Sequence, residues 1–168
     1  MPSSIAHASV ALLLIPVAGM RRASGRLVGF TALAAAAPDI DAIGRPFGMG
    51  DVSFLGGHRA VTHSVFAALV AGVAASALAG RTQAAHARLR IALYVTAVVA
   101  SHGVLDTLTA YGEGVAFFAP FSMERWRSAW QPFSGLWPEV VGLWLPALLM
   151  YVAWRQARRV APVAGPAS

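Results

Sequence analysis

IALYVTAVVASHGVLDTLTAY, residues 91–111, is an apolar stretch with one acidic residue, Asp106, and one histidine, His102. An α-helix needs about 20 predominantly apolar residues to cross the hydrocarbon core of a bilayer, so this stretch is long enough to span a membrane. Of the 168 residues in the chain, 57% are hydrophobic and 12% are charged, whereas about 25% are charged in a soluble domain. The sequence therefore predicts an integral membrane protein.

Four other apolar segments accompany this stretch, at residues 5–20, 27–37, 64–79 and 140–154. Their lengths and composition predict an all-α fold, a polytopic membrane helix bundle of about five transmembrane helices. We expect one integral membrane domain over residues 1–160. Residues 161–168, which are mostly Pro, Ala and Gly, are predicted to form a disordered tail.

Segment 27–37 is shorter than the lower limit of about 17 residues for a membrane span. It crosses the membrane only if it includes flanking residues, such as 22–26 before it or 38–41 after it. The competing interpretation is a re-entrant helix. We favour a crossing segment, because the distribution of charges along the chain fits five spans.

Charged residues are sorted between the two sides of the predicted bundle. All seven acidic residues and four of the 13 arginines lie on one side, and nine arginines lie on the other. Arginine collects in cytoplasmic loops, so we expect an inner-membrane protein with its N-terminus outside and its C-terminus in the cytoplasm. The nine arginines on the predicted cytoplasmic side are Arg21, Arg22, Arg26, Arg81, Arg88, Arg90, Arg155, Arg158 and Arg159.

The net charge of +6 indicates either nucleic acid or membrane partners. Because the arginines cluster between apolar blocks, we expect membrane lipids as partners and no nucleic acid. The chain has no cysteine, so any bound metal must be held by nitrogen and oxygen ligands. The sequence does not indicate an oligomeric state.

Residues 117–137 combine aromatic with charged side chains between the fourth and fifth apolar segments. Tryptophan at headgroup level is typical of a membrane interface, so we interpret this stretch as an interfacial aromatic segment that anchors the last span. The alternative is an entrance for a lipid substrate. Its aromatic residues include Phe121, Trp126, Trp130, Phe133 and Trp137.

Histidines and aspartates are expected to meet near the outer face of the membrane. His102 and Asp106 are one helical turn apart, so their side chains share a helix face. The ends of the other spans bring further candidates to the same level, whereas His86 falls among arginines on the inner side. The candidate metal ligands are His7, Asp39, Asp41, His58, His63, His102 and Asp106.

A bound metal would explain why so many ionisable groups are tolerated there, since an Asp at the centre of a membrane helix costs about 2.5–3.5 kcal/mol on insertion scales. Imidazole and carboxylate ligands suit zinc, manganese or iron, and two ions can share a carboxylate. We expect one or two divalent ions, zinc foremost, with Asp39 or Asp41 as a bridge. Singly, these residues have simpler explanations: a helix end at His7, a turn at Asp39, or a helix cap at Thr62 or Ser64.

Arg59 lies between the candidate ligands His58 and His63. Its forked guanidinium matches phosphate oxygens, so we expect it to stabilise charge on a phosphoryl group. Together with Asp41 and His63, it forms the predicted catalytic set. The alternative for Arg59 is a side chain that reaches the lipid headgroups.

The sequence contains four motifs in a fixed order: His7, Pro38-Asp-Ile-Asp41, His58-Arg-Ala-Val-Thr-His-Ser64, and His102-Gly-Val-Leu-Asp-Thr-Leu-Thr-Ala-Tyr-Gly112, which continues to Phe117-Phe-Ala-Pro-Phe-Ser122. Taken together, they resemble the YdjM-type family of membrane-bound metal-dependent hydrolases. The order His, Asp, His, then His-x-x-x-Asp is also similar to the ligand order of zinc-dependent phospholipase C. The chain departs from that enzyme because no histidine follows His102.

These resemblances imply a membrane-embedded hydrolase that cleaves a phosphoester of a lipid or lipid-linked substrate by a metal-bound hydroxide. A phospholipid or a polyprenyl phosphate would fit. The missing later histidines favour one or two ions over three. The rival interpretations are a metal or proton transport protein, which the apolar inner halves of the spans disfavour, and a non-catalytic membrane protein with a structural metal site.

Overall fold

The computed structural model describes residues 3–17, 25–80 and 83–160, and its regular elements in this part of the chain are helices. Four of them are α1 (Ser4–Val17), α2 (Gly25–Ala36), α3 (Val65–Leu78) and α4 (Ala85–Thr107). The C-terminal helix has three consecutive parts, Leu136–Glu139, a π-helical Val140–Trp144, and Leu145–Val160. The all-α, polytopic helix bundle predicted from the sequence is confirmed. The predicted tail, residues 161–168, lies outside the described residues.

Three helical stretches are long and apolar enough to cross a membrane: Gly25–Phe47, Ala85–Thr107 and Leu136–Ala157. Two shorter apolar helices, Ser4–Pro16 and Val65–Leu78, accompany them. At 1.5 Å per residue, the 14 residues of α3 extend about 21 Å, which is less than the roughly 30 Å of the hydrocarbon core. The number of spans and their orientation therefore stay predictions.

The second apolar segment gains length after α2. The chain passes from Ala36 directly into a 3-10 helix, Ala37–Ala42, in which Pro38 occupies the first turn. Proline is tolerated there because the first N–H groups of a helix have no partner within it. These are residues that the crossing interpretation of segment 27–37 needed, and the same 3-10 helix carries both candidate aspartates.

The fourth segment is shifted relative to the prediction. Helix α4 begins at Ala85 and ends at Thr107, whereas the apolar pattern covers residues 91–111. The helix begins before the apolar pattern because its first turns contain polar side chains such as His86 and Arg88, which hydropathy does not detect. It ends earlier because the chain turns after Thr107, so Tyr111 belongs to the following loop.

Helix α4 contacts the other three numbered helices. Tyr94, Val95 and Val98 of α4 belong to a buried cluster with Ile15 of α1 and Ala68 of α3. The Tyr94 hydroxyl donates a 2.6 Å hydrogen bond to the carbonyl of Ala11, which links α4 to α1.

Helices α3 and α4 approach each other closely at Gly72. A Cβ atom at this position would lie 2.6 Å from the carbonyl oxygen of Ala92. Small residues allow such close backbone approach between membrane helices. Gly72 therefore helps to set the distance between α4, which carries His102 and Asp106, and α3, which follows His63 in the chain.

The loop after α4 folds back over the start of α3. Val115 and Trp126 exchange two backbone hydrogen bonds of 2.9 Å. The Ala116 N–H donates to the Arg59 carbonyl at 2.9 Å, and Phe117 accepts from the Val65 N–H at 3.0 Å. The predicted aromatic segment is thus an ordered cover beside residues 58–65, and its position at a membrane interface stays a prediction.

Candidate metal centre

The structure brings all seven predicted ligand side chains together at one end of the bundle. They form three overlapping groups whose ligand atoms lie within 4.8 Å of one another. Six of the side chains are buried, and Asp39 is partly exposed. The groups are His7, His102 and Asp106; Asp39, His63 and His102; and Asp41, His58 and His63.

Different elements position these side chains. His7 belongs to α1, the two aspartates to the 3-10 helix Ala37–Ala42, and the His102–Asp106 pair to α4. His63 ends a short 3-10 helix, Val61–His63, and Ser64 then caps α3 by accepting a 3.1 Å hydrogen bond from the Ala67 N–H. The helix-cap interpretation of Ser64 is therefore confirmed.

Gly103 allows the loop to bring His63 close to α4. A Cβ atom on Gly103 would lie 2.7 Å from the carbonyl oxygen of His63. Any larger residue would push the His63 backbone away from the helix. The absence of a side chain at Gly103 therefore allows the imidazoles of His63 and His102 to lie close together.

Four ligand atoms form a closed ring in which no member makes a complete hydrogen bond, and a protein cation, the Arg59 guanidinium 3.0 Å away, lies beside one of them, Oδ2 of Asp106. The Nε2 atom of His63 lies 3.7 Å from Oδ1 of Asp39 and 3.3 Å from Oδ2 of Asp106. The Nε2 atom of His102 lies 3.3 Å and 3.9 Å from the same two oxygens. Ligands about 2.1 Å from a tetrahedral ion are about 3.4 Å apart, so the ring has the dimensions of a metal-binding site.

Hydrogen bonds on the far side of each imidazole orient both Nε2 atoms towards the ring. Nδ1 of His102 lies 2.6 Å from the carbonyl of Ala35, so Nδ1 carries the proton and donates it. Nδ1 of His63 lies 3.3 Å from Oδ2 of Asp41 and 2.9 Å from the Thr62 hydroxyl. Such outer partners fix the tautomer and orientation of metal-binding histidines.

Asp41 does not face the ring. Its Oδ1 atom lies 2.6 Å from Nδ1 of His58, and its Oδ2 atom accepts a hydrogen bond from Thr62 and is near His63. Both oxygens are therefore engaged with neighbouring side chains. Of the two aspartates expected to bridge ions, Asp39 has an oxygen in the ring, whereas Asp41 orients two histidines.

His7 lies beside the ring. Its imidazole stacks on that of His102, with ring centroids 3.5 Å apart and planes 11° from parallel. Its Nε2 atom is 3.7 Å from Oδ1 of Asp106, and neither of its nitrogens has a hydrogen-bond partner. His7 is thus close enough to contribute a further ligand on the α1 side.

Arg59 is held inside the protein. Its Nε atom lies 3.0 Å from Oδ2 of Asp106, its Nη2 atom donates to Oδ1 at 3.1 Å, and its Nη1 atom donates to the Tyr111 carbonyl. Only 2% of Arg59 is exposed. Both sequence-based expectations, contact with a phosphate and extension to the headgroups, need a free guanidinium, whereas each nitrogen here lies beside a protein oxygen.

The metal-free site favours a protonated His63. Burial opposes a charge on this imidazole, but the nearby carboxylates of Asp106, Asp39 and Asp41 outweigh burial and raise the pKa of His63 to about 10. The positive charge of the protonated imidazole partly neutralises the three carboxylates, as a bound cation would. A metal ion that binds His63 must therefore displace a proton.

Sequence reasoning missed one supporting residue and misjudged another. Arg125 donates through both Nη atoms to the carbonyl of His58, at 3.2 and 3.3 Å, and thereby ties the loop after α4 to the site. Thr62, expected only as a possible helix cap, donates to Asp41 instead. These contacts of Arg125 and Thr62 could not be predicted from the sequence, because neither follows from helical periodicity or from residue spacing.

Comparison with known proteins agrees with the membrane character of the chain. The family model described as YdjM inner membrane protein matches residues 1–165. The inner membrane protein YbcI of Escherichia coli (strain K12) is 31% identical over 175 residues, which cover 94% of this chain and 100% of that protein. No solved structure matches the chain.

Proposed function

The chain belongs to the YdjM family of inner membrane proteins, and from that starting point we propose that it is a membrane-embedded, metal-dependent hydrolase of a phosphoester in a lipid or lipid-linked substrate. The observation that carries this proposal is the ring of four buried ligand atoms from Asp39, His63, His102 and Asp106. Buried polar atoms normally have partners, whereas of these four only Oδ2 of Asp106 lies beside a protein cation, so their convergence supports a binding site for a metal ion.

The donor set supports zinc, with manganese or iron as alternatives. Two imidazole nitrogens and two carboxylate oxygens suit all three metals, and zinc favours a tetrahedral arrangement at these distances. Such an ion would lower the pKa of a water molecule and stabilise negative charge on phosphoryl oxygens. The residues around it would hold the ion, leave space for the substrate and accept the proton that the water molecule loses.

Access to the ring would come from the side of Asp39. Its side chain is 19% exposed, whereas those of His63, His102 and Asp106 are fully buried. A catalytic zinc site keeps a position for water or substrate. Asp39 is the ligand that can make room for it, because it lies at the border between the site and the surface.

His58 is placed to accept a proton. Its Nδ1 atom is 2.6 Å from Asp41, and its buried Nε2 atom has no hydrogen-bond partner. A carboxylate that holds one imidazole nitrogen leaves the other as a proton acceptor, the arrangement of a general base. In this role His58 would take the proton of the attacking water, whereas a ligand role would use the same nitrogen.

The surface next to the site supports a lipid substrate. Ile40, which lies between the two aspartates in sequence, is 60% exposed, and Ile43 is equally exposed. Trp130 in the loop after α4 is 70% exposed. Exposed apolar side chains next to Asp39 are suited to acyl chains, and exposed tryptophan is suited to the headgroup region, so the substrate would arrive laterally from the membrane.

The orientation of the protein is part of the proposal. Arginine on the side opposite the site supports a cytoplasmic C-terminus and a site at the outer face of the inner membrane. A transport function has less support, because the ionisable side chains buried in the described part of the chain are those of the site, Glu139 and Tyr94. A proton or metal relay would need ionisable groups at successive depths.

The experiment is an assay of purified protein with Zn²⁺ or Mn²⁺ against phospholipids and polyprenyl phosphates, in which phosphate or headgroup release is measured. Release that depends on added metal and is lost in Asp39→Asn supports the proposal. Glu124→Gln makes the same chemical change at an exposed acid and should keep full activity. Tight metal binding without cleavage of any substrate would overturn the hydrolase assignment.

A further inference from the structure

Arg59 occupies the place where a second metal ion would be expected to bind Asp106. Its Nε and Nη2 atoms lie 3.0 Å and 3.1 Å from the two oxygens of that carboxylate. In two-metal sites, the ions are about 3.5–4 Å apart and stabilise both the attacking and the leaving oxygens. Both oxygens of Asp106 therefore already lie beside a fixed positive charge, and Oδ2 is also the oxygen that faces the ring.

The other two carboxylates differ in how far their oxygens are already engaged. Both oxygens of Asp41 are engaged, one with His58 and one with Thr62 and His63. Asp39 has a single oxygen in the ring. Asp39 and Asp106 thus contribute one oxygen each to the ring, and Asp41 contributes none.

Arg59 has a left-handed backbone conformation, which helps to hold its guanidinium against Asp106. Arg59 has a φ of 65°, the only positive φ of a non-glycine residue in the described ranges. Gly112 opposite it also has a positive φ, and a Cβ atom there would lie 2.6 Å from Nη1 of Arg59. Strained backbone persists only where the surrounding structure holds it, so the fold positions this guanidinium tightly.

The charges of the buried site balance with one divalent ion. Asp39, Asp41 and Asp106 carry three negative charges, and Arg59 carries one positive charge. With neutral histidines, one divalent ion brings the total to zero, and a second ion would leave two positive charges. An unbalanced charge in a membrane-embedded site is strongly unfavourable, so neutrality favours a single ion.

We propose that Arg59 takes the place of a second metal ion, so that the site binds one divalent ion per chain. This inference rests on the proposed function, since it assumes that the ring binds metal. Arg59 would position Asp106 and compensate its charge without touching the substrate.

Electron paramagnetic resonance of the full chain saturated with Mn²⁺, together with its metal content, tests the inference. The expected result for the wild-type protein is about one ion per chain and the spectrum of an isolated Mn²⁺ ion, without the exchange coupling of two ions about 3.5–4 Å apart. Two ions and a coupled spectrum would overturn the inference but leave metal binding intact. No bound ion would overturn the inference and the proposed function together.

Two variants of Arg59 test whether its positive charge prevents a second ion from binding. Arg59→Met removes the positive charge and frees an oxygen of Asp106, so a second Mn²⁺ ion should bind and the metal content should rise from about one towards about two. Arg59→Lys keeps the charge and should stay at about one ion. A methionine variant that also stays at one ion would contradict the inference. If that variant does not fold, the wild-type spectrum still decides.

Discussion

The Nε2 atom of His102 lies 3.3 Å from Oδ1 of Asp39, although 63 positions separate the two residues in the sequence. Neither atom has a hydrogen-bond partner. Two opposed, unpaired ligand atoms in a buried site are costly unless a cation lies between them. This contact therefore supports the proposed metal centre, and the following predictions test the residues around it.

Loss of a ring ligand should abolish metal binding. His102→Ala removes one of four ligand atoms, and metal content should fall at least about tenfold. His86→Ala is the matched control, because it makes the same change in the same helix at an exposed position. Elemental analysis of both variants is the measurement, and equal metal contents would contradict the assignment.

Loss of an orienting carboxylate should weaken binding without abolishing it. Asp41→Asn removes the charged partner of His58 and His63, and changes of this kind reduce metal affinity about 10- to 100-fold. Competition with a metal-binding dye measures the affinity. An Asp41→Asn protein that binds as tightly as Glu124→Gln would show that the orienting contacts have no role.

A methyl group at Gly103 should disturb the site. The new Cβ atom would lie 2.7 Å from the His63 carbonyl, and overpacking of this kind destabilises a fold by about 1–3 kcal/mol. Metal affinity should fall as well, because His63 moves. Gly29→Ala in α2 is the control, since its Cβ atom meets nothing within 4 Å. Thermal unfolding in detergent should separate the two variants, and equal midpoints would count against the close approach.

Glu139 should stabilise the start of α1. Its buried carboxylate accepts from the Ser3 N–H at 3.0 Å and from the Ser3 hydroxyl at 2.8 Å. Glu139→Ala leaves these donors unpaired, and we expect a loss of about 1–3 kcal/mol in stability. The exposed Glu113→Ala serves as the control. Unfolding midpoints that are the same for both variants would contradict this role.

Metal affinity should rise with pH. The pKa of His63 in the metal-free site is raised from 6.5 to about 10, so this imidazole holds a proton throughout the neutral range, and the metal must displace it. Below the raised pKa, apparent affinity should therefore increase by about tenfold per pH unit, with about one proton released per ion bound. Calorimetry in buffers of different protonation enthalpy measures this release. An affinity that is independent of pH between 7 and about 9 would contradict the exchange.

Helical spacing was sufficient to predict one part of the site. His102 and Asp106 are four residues apart in an apolar helix, so their shared face follows from the sequence. The placement of His63 beside His102 does not, because it depends on the loop before α3 and on the space left by Gly103. The roles of Asp39 and Asp41 were not separable either, since alternate positions in a 3-10 helix reveal only that the two side chains point in different directions.

Arg59 shows most clearly what sequence patterns omit. Its position between two histidines suggested a substrate contact, but its left-handed backbone and its contacts with Asp106 and Tyr111 depend on tertiary structure. Helix ends were also displaced. The C-terminal helix begins at Leu136, before the apolar segment at residue 140, because hydropathy marks the membrane-embedded part of a helix rather than its first turn.

X-ray absorption of the zinc-loaded protein, prepared without chelator, tests the central claim most directly. The account predicts a shell of nitrogen and oxygen ligands at about 2.0–2.2 Å with the scattering of at least two imidazoles, and a loss of that scattering in His63→Ala. A shell of oxygen alone, unchanged in His63→Ala, would mean that the ion is bound elsewhere and would contradict the account.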